Sequence, residues 1–547
     1  MKVNKDVYDE QKINEFLDKG VWAKEGHCDK WDWCAQEFPE KEAIVDSKTR
    51  MTWSQAKLYQ DRVALGLLEM GFKKDDVMLI QLPMWAELFI ARMACEKAGI
   101  IYCMLAQNLR EKDIEYILKK TEAVGMVVPW KSGDRNFFEE VQSIRPNAPS
   151  LRHVFVVGDE VPEGAVSFNK MMQEPIEKKY PEDYLQQTKT PAWEVSHITT
   201  TTGTTGFPKI SEYVCGARVS RWIETTKKFG MTKDDVILVM GPGGVIFSPA
   251  SDGAPMVGAK IVMQERFDPG EALRIIEKEK VTMFAAVPTM LQRLLAHPDF
   301  DKYDYSTLKF IRCGGGFVPY ELCEETEKKL GARVGQTYGS ADRGGGTIPD
   351  AKAPSEVRWI TAGKPDKWSK VSIVDDEGKE LPQGEVGSVM FFMPTGAVGY
   401  FKEPEATKEA YASGWYQMGD LGKLDADGNL VLVGRKRDII IRGGQNIYPG
   451  EIESLLQLHP KVFQAALVKM PDREYGEKAC AYVVPKGDKP ITFEEMVAFL
   501  KEQKITSYKI PERLEIIESM PLAGGMKIEK RTLEEDVEKK LKKEGRI

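Results

Sequence analysis

The densest chemistry in the chain lies in one run, Thr199-Thr200-Thr201-Thr202-Gly203-Thr204-Thr205-Gly206-Phe207-Pro208-Lys209, entered through His197-Ile198. Two glycines permit tight turns that aim backbone N–H groups at one point, the threonines add hydroxyl donors, and Lys209 adds a full positive charge. Such a set clamps an anion, a phosphate above all. It is not the G-x-x-x-x-G-K-[ST] loop, because Pro208 precedes the lysine and Ile210 stands where that loop carries a magnesium-binding hydroxyl. Taken alone, the run could also be a threonine-rich turn between strands. The eight cysteines are scattered without a C-x-x-C pair and the chain has five histidines, so neither a zinc site nor a disulfide framework is expected. Buried reduced thiols are the expectation instead.

These residues need a scaffold, and the hydrophobic pattern supplies one. From Ser54 the spacing of Val63, Leu67 and Met70 before Gly71 predicts a helix with a glycine stop, and residues 77–82 then predict a buried strand. Trp85, Leu88, Phe89 and Met93 share the face of a second helix that ends at Gly99, followed by a strand at 100–104. Short apolar runs at 126–128, 154–157, 236–240, 260–263, 283–287 and 309–313, separated by helical stretches, extend the alternation. Alternating strands and helices predict an α/β fold with a parallel-rich core. From about 370 to 433 turn signals at 376–378, 382–384 and 425–428 predict a small β lobe. After Arg437 the pattern resets to a compact α+β unit with a helix from Pro449, strands at 463–468 and 480–484, and a Thr492/Glu495 capping box. We therefore expect a large multi-lobed N-terminal domain, 1–436, and a small mobile C-terminal lid domain, 437–547. Pairs at i,i+4 in 530–543 (Glu535/Lys539, Asp536/Lys540, Glu538/Lys542) mark a solvated helix face.

With the loop in place, further strings gain meaning. The 199–209 run resembles the signature loop of the adenylate-forming superfamily (acyl-CoA synthetases, peptide-synthetase adenylation domains and luciferases), with a pattern close to T-S-G-T-T-G-x-P-K-G. Gly314-Gly315-Gly316 and Gln336-Thr337-Tyr338-Gly339-Ser340-Ala341-Asp342 resemble its adenine-binding segments, and Tyr416-Gln417-Met418-Gly419-Asp420 its Y-x-T-G-D. Gly434-Arg435-Lys436-Arg437-Asp438 is similar to its hinge, and Pro521-Leu522-Ala523-Gly524-Gly525-Met526-Lys527 to its closing P-x-x-x-x-G-K. The matches run in the family's order over more than half the chain. The resemblance implies an ATP or AMP site at Thr201, Thr202, Gly203, Thr204, Thr205, Lys209, Gly314, Gly315, Gly316, Gln336, Thr337, Tyr338, Gly339, Ser340, Asp420 and Arg435. It implies magnesium at Asp342, a pivot at Arg437, a thiol channel at Gly443 and Gly444, and Lys527 as the adenylation catalyst. Thr202 for Ser, Ile210 for Gly, Met418 for Thr and Met526 for Gly depart from the pattern.

The implied reaction is an AMP-forming carboxylic acid–CoA ligation: ATP and a carboxylate give acyl-AMP and pyrophosphate, and coenzyme A then gives acyl-CoA and AMP. The acyl pocket is expected at 241–249, with Gly243, Gly244, Val245 and Phe247 as its lining. Pro242-Gly243-Gly244 brings no polar side chain, which suits a bulky apolar acid. An aromatic or alicyclic acid of the benzoate, cyclohexene- or cyclohexanecarboxylate kind is favoured. The alternatives are a medium- or branched-chain fatty acid, an aryl-acid adenylating enzyme that loads a carrier protein, and a decayed nucleotide-binding protein. A net charge of −7 predicts no nucleic-acid partner, and the apolar run at 98–106 is far short of a membrane span, so a cytoplasmic enzyme, open to homodimerisation, is expected. His197 is expected to support the loop, and Trp22, Trp31 and Trp33 with Cys28 and Cys34 to form one aromatic cluster.

Overall fold

The computed structural model describes residues 1–200, 209–241, 247–316, 318–340, 344, 346–523 and 527–547, with backbone alone at 523 and 527. Two large sheets form the body. Among the described residues one runs Lys364–Pro365, Gly346–Ile348, Arg333–Gly339, Phe310–Gly314, Met283–Ala286, Val236–Val239, Lys260–Met263, Glu42–Val45, Arg50–Thr52. Its strands from 333–339 to 42–45 pair in parallel and its outer strands antiparallel. The other runs Gly399–Tyr400, Ile210–Val214, Val195–Thr200, Ile101–Met104, Val77–Ile80, Gly125–Pro129, His153–Val157, Val166–Ser167. Strands such as Val77–Ile80 and Met283–Ala286 are buried at every position, as continuous apolar runs demand when helices cover both faces.

The helix Trp53–Glu69 starts at a Thr52/Gln55 capping box and stops before Gly71, whose φ of +84° is the left-handed conformation that favours glycine. It packs with Ala86–Lys97 between the sheets, where Trp31, Trp53 and Phe89 share one core. The expected single aromatic cluster is not formed. Trp22 packs on Tyr8 and Phe16 in a separate core, and Trp33 is half exposed against Phe38. Trp31 and Trp33 are two apart on the helix His27–Glu37 and so face different ways, while Trp22 precedes that helix. All eight cysteines are free and buried.

A four-stranded antiparallel sheet (Lys370–Val374, Gly387–Phe392, Trp415–Leu424, Leu430–Arg435) follows. Beyond the short turn Lys436–Asp438 comes a five-stranded sheet built on the long pair Val462–Asp472 and Gly476–Pro485. Both strands are apolar on both faces. Ala465, Leu467, Ala479, Ala481 and Val483 face a core with Ile452, Leu456, Met496 and Leu500, while Ala466, Val468, Cys480 and Tyr482 face Leu533, Val537 and Leu541. A period of two forces this division, and so helices lie on both sides. The closing helix Lys530–Lys543 therefore has one buried stripe besides its solvated face. Asp536–Lys540 and Glu538–Lys542 pair as the spacing predicts, whereas Glu535 pairs with Arg531.

Candidate active site

Val195–Thr200 and Ile210–Val214 pair antiparallel with Thr200 opposite Ile210, so the glycine- and threonine-rich run is the connection of a hairpin. Thr201, Thr202, Gly203, Thr204 and Thr205 lie outside the described residues. Lys209 opens the second strand with an exposed side chain, its Nζ 4.5 Å above the Tyr400 ring. His197 is buried in the first strand, stacked between Tyr102 and Tyr213 at 5.1 and 5.0 Å. Burial first, and Arg218 second, hold its pKa well below the usual histidine value, so it is neutral and supports the hairpin.

The next group forms where Phe310–Gly314 and Arg333–Gly339 run side by side. Gly314 pairs with Thr337, and a Cβ on Gly314 would stand 2.6 Å from the Thr337 carbonyl oxygen, a distance only glycine allows. Gly315 turns away with φ +83°, and Gly316 is exposed. Gln336 donates from Nε2 to the carbonyls of Val318 (3.2 Å) and Trp359, which fixes the neighbouring loop. Tyr338 follows, then Gly339 and Ser340 at the strand's end. The Tyr338 hydroxyl donates to Asp420 Oδ2, and Arg435 Nε lies 3.2 Å from Asp420 Oδ1. Asp420 and Arg435 are cross-strand partners, so the β lobe delivers both to the same point. Burial and the adjacent Asp420 carboxylate raise the Tyr338 pKa, which keeps the phenol protonated as a donor. A buried carboxylate held between a tyrosine hydroxyl and a guanidinium can accept hydrogen bonds from neighbouring ligand hydroxyls. Among the described residues no group of three or more His, Cys, Asp or Glu could hold a metal ion. Asp342 lies outside them.

Arg312 joins this group to the expected acyl region. Its Nε donates to Thr337 Oγ1 at 3.2 Å and its Nη1 to Ser248 Oγ at 2.8 Å, next to Phe247. Burial lowers its pKa to about 9. Gly243, Gly244 and Val245 lie outside the described residues. Phe247 is buried, its ring 5.3 Å from Phe89 and 5.2 Å from the Arg92 guanidinium carbon. A buried guanidinium thus packs against Phe247, the one described residue of the expected acyl lining. Arg92 was missed because it lies in Ala86–Lys97, which reads as a core helix. Its charge among buried apolar neighbours was the available signal.

Gly443 and Gly444 stand in a turn between Ile440–Arg442 and Gln445–Ile447, away from the Tyr338, Asp420 and Arg435 group in sequence and sheet. Both have positive φ, +54° and +83°, and a Cβ on Gly444 would meet nothing within 4 Å. Arg442 anchors the turn through Glu512 (2.6 Å) and the Tyr475 ring (4.1 Å). Arg437 sits in the turn between units, where Lys469 Nζ donates to its carbonyl at 3.3 Å. Lys527 begins the short strand Lys527–Ile528 that pairs with Leu522–Ala523. The structure thus joins Gly314, Gln336, Thr337, Tyr338, Asp420 and Arg435, links Ser248, beside Phe247, to them through Arg312, and leaves Gly443 and Gly444 on a separate sheet.

Comparison with known proteins agrees with this layout. Residues 31–401 match the AMP-binding enzyme family and residues 451–527 its C-terminal domain. The chain is 28% identical to the medium-chain fatty-acid–CoA ligase of Escherichia coli (strain K12), over 98% of this chain and 94% of that one. It is 27% identical to the 2,3-dihydroxybenzoate-AMP ligase of Bacillus subtilis (strain 168), over 96% of each. Its fold superposes on the anthranilate CoA ligase AuaEII in complex with anthranoyl-AMP with a TM-score of 0.85 and 23% identity, over 95% of this chain and 98% of that one.

Proposed function

The chain belongs to the AMP-binding enzyme family and is an AMP-forming acid–thiol ligase that uses ATP, magnesium and coenzyme A, and from that premise we propose that its acid is a ring carboxylate, aromatic or alicyclic. The observation that carries the proposal is the aromatic packing of Phe247 on Phe89, rings 5.3 Å apart, next to Ser248, which Arg312 joins to the strand bearing Tyr338. The relatives named for 2,3-dihydroxybenzoate and anthranilate support a ring acid. A medium-chain fatty acid is the second reading, supported by the E. coli relative.

In this account the Tyr338 ring packs on the adenine and Asp420 accepts the ribose hydroxyls, with Arg435 fixing the carboxylate. Lys209 and the donors of its loop hold the phosphates that leave. Asp342 would hold magnesium beside those phosphates, where the ion would supply further charge neutralisation; such an ion commonly takes only one or two carboxylates beside phosphate oxygens and water. Lys527 bridges the attacking carboxylate and the α-phosphate. No general base is required, because the carboxylate is already ionised; catalysis is positioning and charge neutralisation. The unit after Arg437 then turns about that residue, withdrawing Lys527 and presenting Gly443 and Gly444, whose missing side chains let a pantetheine arm pass close to backbone. We place the enzyme in the cytoplasm; among the described residues no helix is long and apolar enough to cross a membrane.

The test is mass spectrometry of reactions containing ATP, magnesium, coenzyme A and single acids from ring and fatty classes. Ring acyl-CoA as the dominant product supports the proposal. Fatty acyl-CoA alone replaces it with the second reading.

A further inference from the structure

Lys209 is the one cation of the anion-clamping run 199–209, and its surroundings differ from those of charged groups nearby. In the turn after Gly399–Tyr400, Lys402 pairs with Glu122 at 2.5 Å and Glu403 with Lys120 at 2.6 Å. Among the described residues Lys209 has no carboxylate at ion-pair distance, and its exposed ammonium stands over the face of the Tyr400 ring, 4.5 Å from the ring centre. Sheet register explains both facts. Ser211 stands opposite Tyr400 and Glu212 opposite Gly399, so alternation puts Glu212 on the other face, where its Oε2 would be 2.9 Å from a Cβ on Gly399. Lys209, two residues before Ser211, shares the face of Tyr400 and lies diagonal to it, a spacing that a long side chain and a ring can bridge.

The ring is fixed from behind. Tyr400 is buried, its N–H donates to Thr407 Oγ1 at 2.9 Å, and Thr407 Oγ1 donates to the Glu403 carbonyl at 2.8 Å. The Tyr411 ring meets the Tyr400 ring edge-on at 5.5 Å and 77°. Thr407 and Tyr411 both belong to the helix Pro404–Tyr411, which therefore backs the ring against the hairpin.

An aromatic face attracts an ammonium through the ring quadrupole without neutralising it. A carboxylate in the same place would have to be broken away by an arriving phosphate and would then repel it. A ring imposes neither cost. It narrows the positions open to a long flexible side chain and leaves the full charge for the ligand.

We infer that Tyr400 is a positioning residue for ATP: its ring face holds Lys209 ready for the leaving phosphates, with the ammonium charge left whole. This rests on the reading of Lys209 as a phosphate ligand given above. The part of the ligand it serves is the β- and γ-phosphates, which AMP lacks.

The test is isothermal titration of magnesium-ATP and, separately, AMP into the full chain carrying Tyr400→Phe, its difluoro and pentafluoro analogues, or Tyr400→Leu. Tyr400→Phe keeps the ring face and is the reference. Fluorine withdraws the negative face and nearly keeps the ring's shape, so the ATP Kd should rise stepwise, by about two- to fivefold at the pentafluoro ring and by as much in Tyr400→Leu. The AMP Kd should stay constant throughout. An unchanged ATP Kd across the fluorine series overturns the inference. So does a parallel rise for AMP, which a merely structural ring would give, or tighter ATP binding, which would mean that the ring holds the lysine away. Should Tyr400→Leu fail to fold, the fluorine series decides alone. Lys209→Met separates the two readings: weaker ATP binding there with a flat fluorine series removes this inference and keeps Lys209 on the phosphates, whereas unchanged ATP binding in Lys209→Met removes both.

Discussion

Asp420→Asn separates binding from folding at the proposed ribose site. The substitution keeps the side chain's shape but removes its charge and one acceptor. Two sets of contacts change. Within the protein, Arg435 is about half exposed (49%), and an ion pair so open to solvent contributes only about 0–1 kcal/mol. The Tyr338 hydroxyl can still donate to the amide oxygen, so the fold should lose about 1 kcal/mol or less. Toward the nucleotide the loss is larger, because a buried carboxylate accepting hydroxyls makes charge-assisted bonds of about 1.5–3 kcal/mol. At about 1.4 kcal/mol per tenfold, KM for ATP should rise roughly 10- to 150-fold. The assay is acid-dependent ATP–pyrophosphate exchange with ATP varied, alongside a thermal unfolding curve expected to shift by only a few degrees. A folded variant whose KM for ATP stays within about threefold of wild type would refute the ribose assignment.

Lys527→Ala should abolish acyl-adenylate formation while sparing thioester formation from supplied acyl-adenylate, and Gly444→Leu should do the reverse; parallel loss of both steps in either variant, read by mass spectrometry, counts against the two-conformation account. Gly314→Ala places a Cβ 2.6 Å from the Thr337 carbonyl and should weaken ATP use and cost about 1–3 kcal/mol, whereas Gly316→Ala, with Pro288 at 3.8 Å, should be mild; equal effects in kinetics and melting would remove the close-approach argument. Glu279 has its pKa lowered to about 2, first by the Arg50 hydrogen bonds and then by Lys260. A depressed folded pKa gives stability that is complete above the unfolded value near 4.5 and lost as pH falls toward about 2, so the melting difference between wild type and Arg50→Met should shrink across that window. A difference independent of pH there would discard this linkage.

The sequence is most legible where chemistry is local. The alternation of strands and helices and the capping signals are set by neighbours in the chain, and the parallel core and the Thr492/Glu495 capping box follow from them. Asp420 and Arg435 could be assigned to one site by resemblance, but their registered pairing needed the sheet. Arg92 could not be assigned, because strand order and helix packing bring it to Phe247 across a long stretch of sequence. The tryptophans near the N-terminus show the opposite error: adjacency in sequence suggested one cluster, yet Trp22, ahead of the helix, packs in another core, and Trp31 and Trp33, two apart on that helix, face the core and the surface. In the tail helix the charged face was readable, while its buried stripe of Leu533, Val537 and Leu541 depends on a sheet face formed by Val468, Cys480 and Tyr482, far away in sequence.

The central claim is that this chain activates a carboxylic acid as an adenylate and passes the acyl group to coenzyme A. Its most direct test is product stoichiometry in one reaction with ATP, magnesium, coenzyme A and the best acid of the panel, following AMP, ADP, pyrophosphate and thioester together by chromatography. The account predicts AMP, pyrophosphate and acyl-CoA in equal amounts, with no ADP. Appearance of ADP and phosphate with the thioester, or acid-independent ATP consumption without thioester, would contradict it.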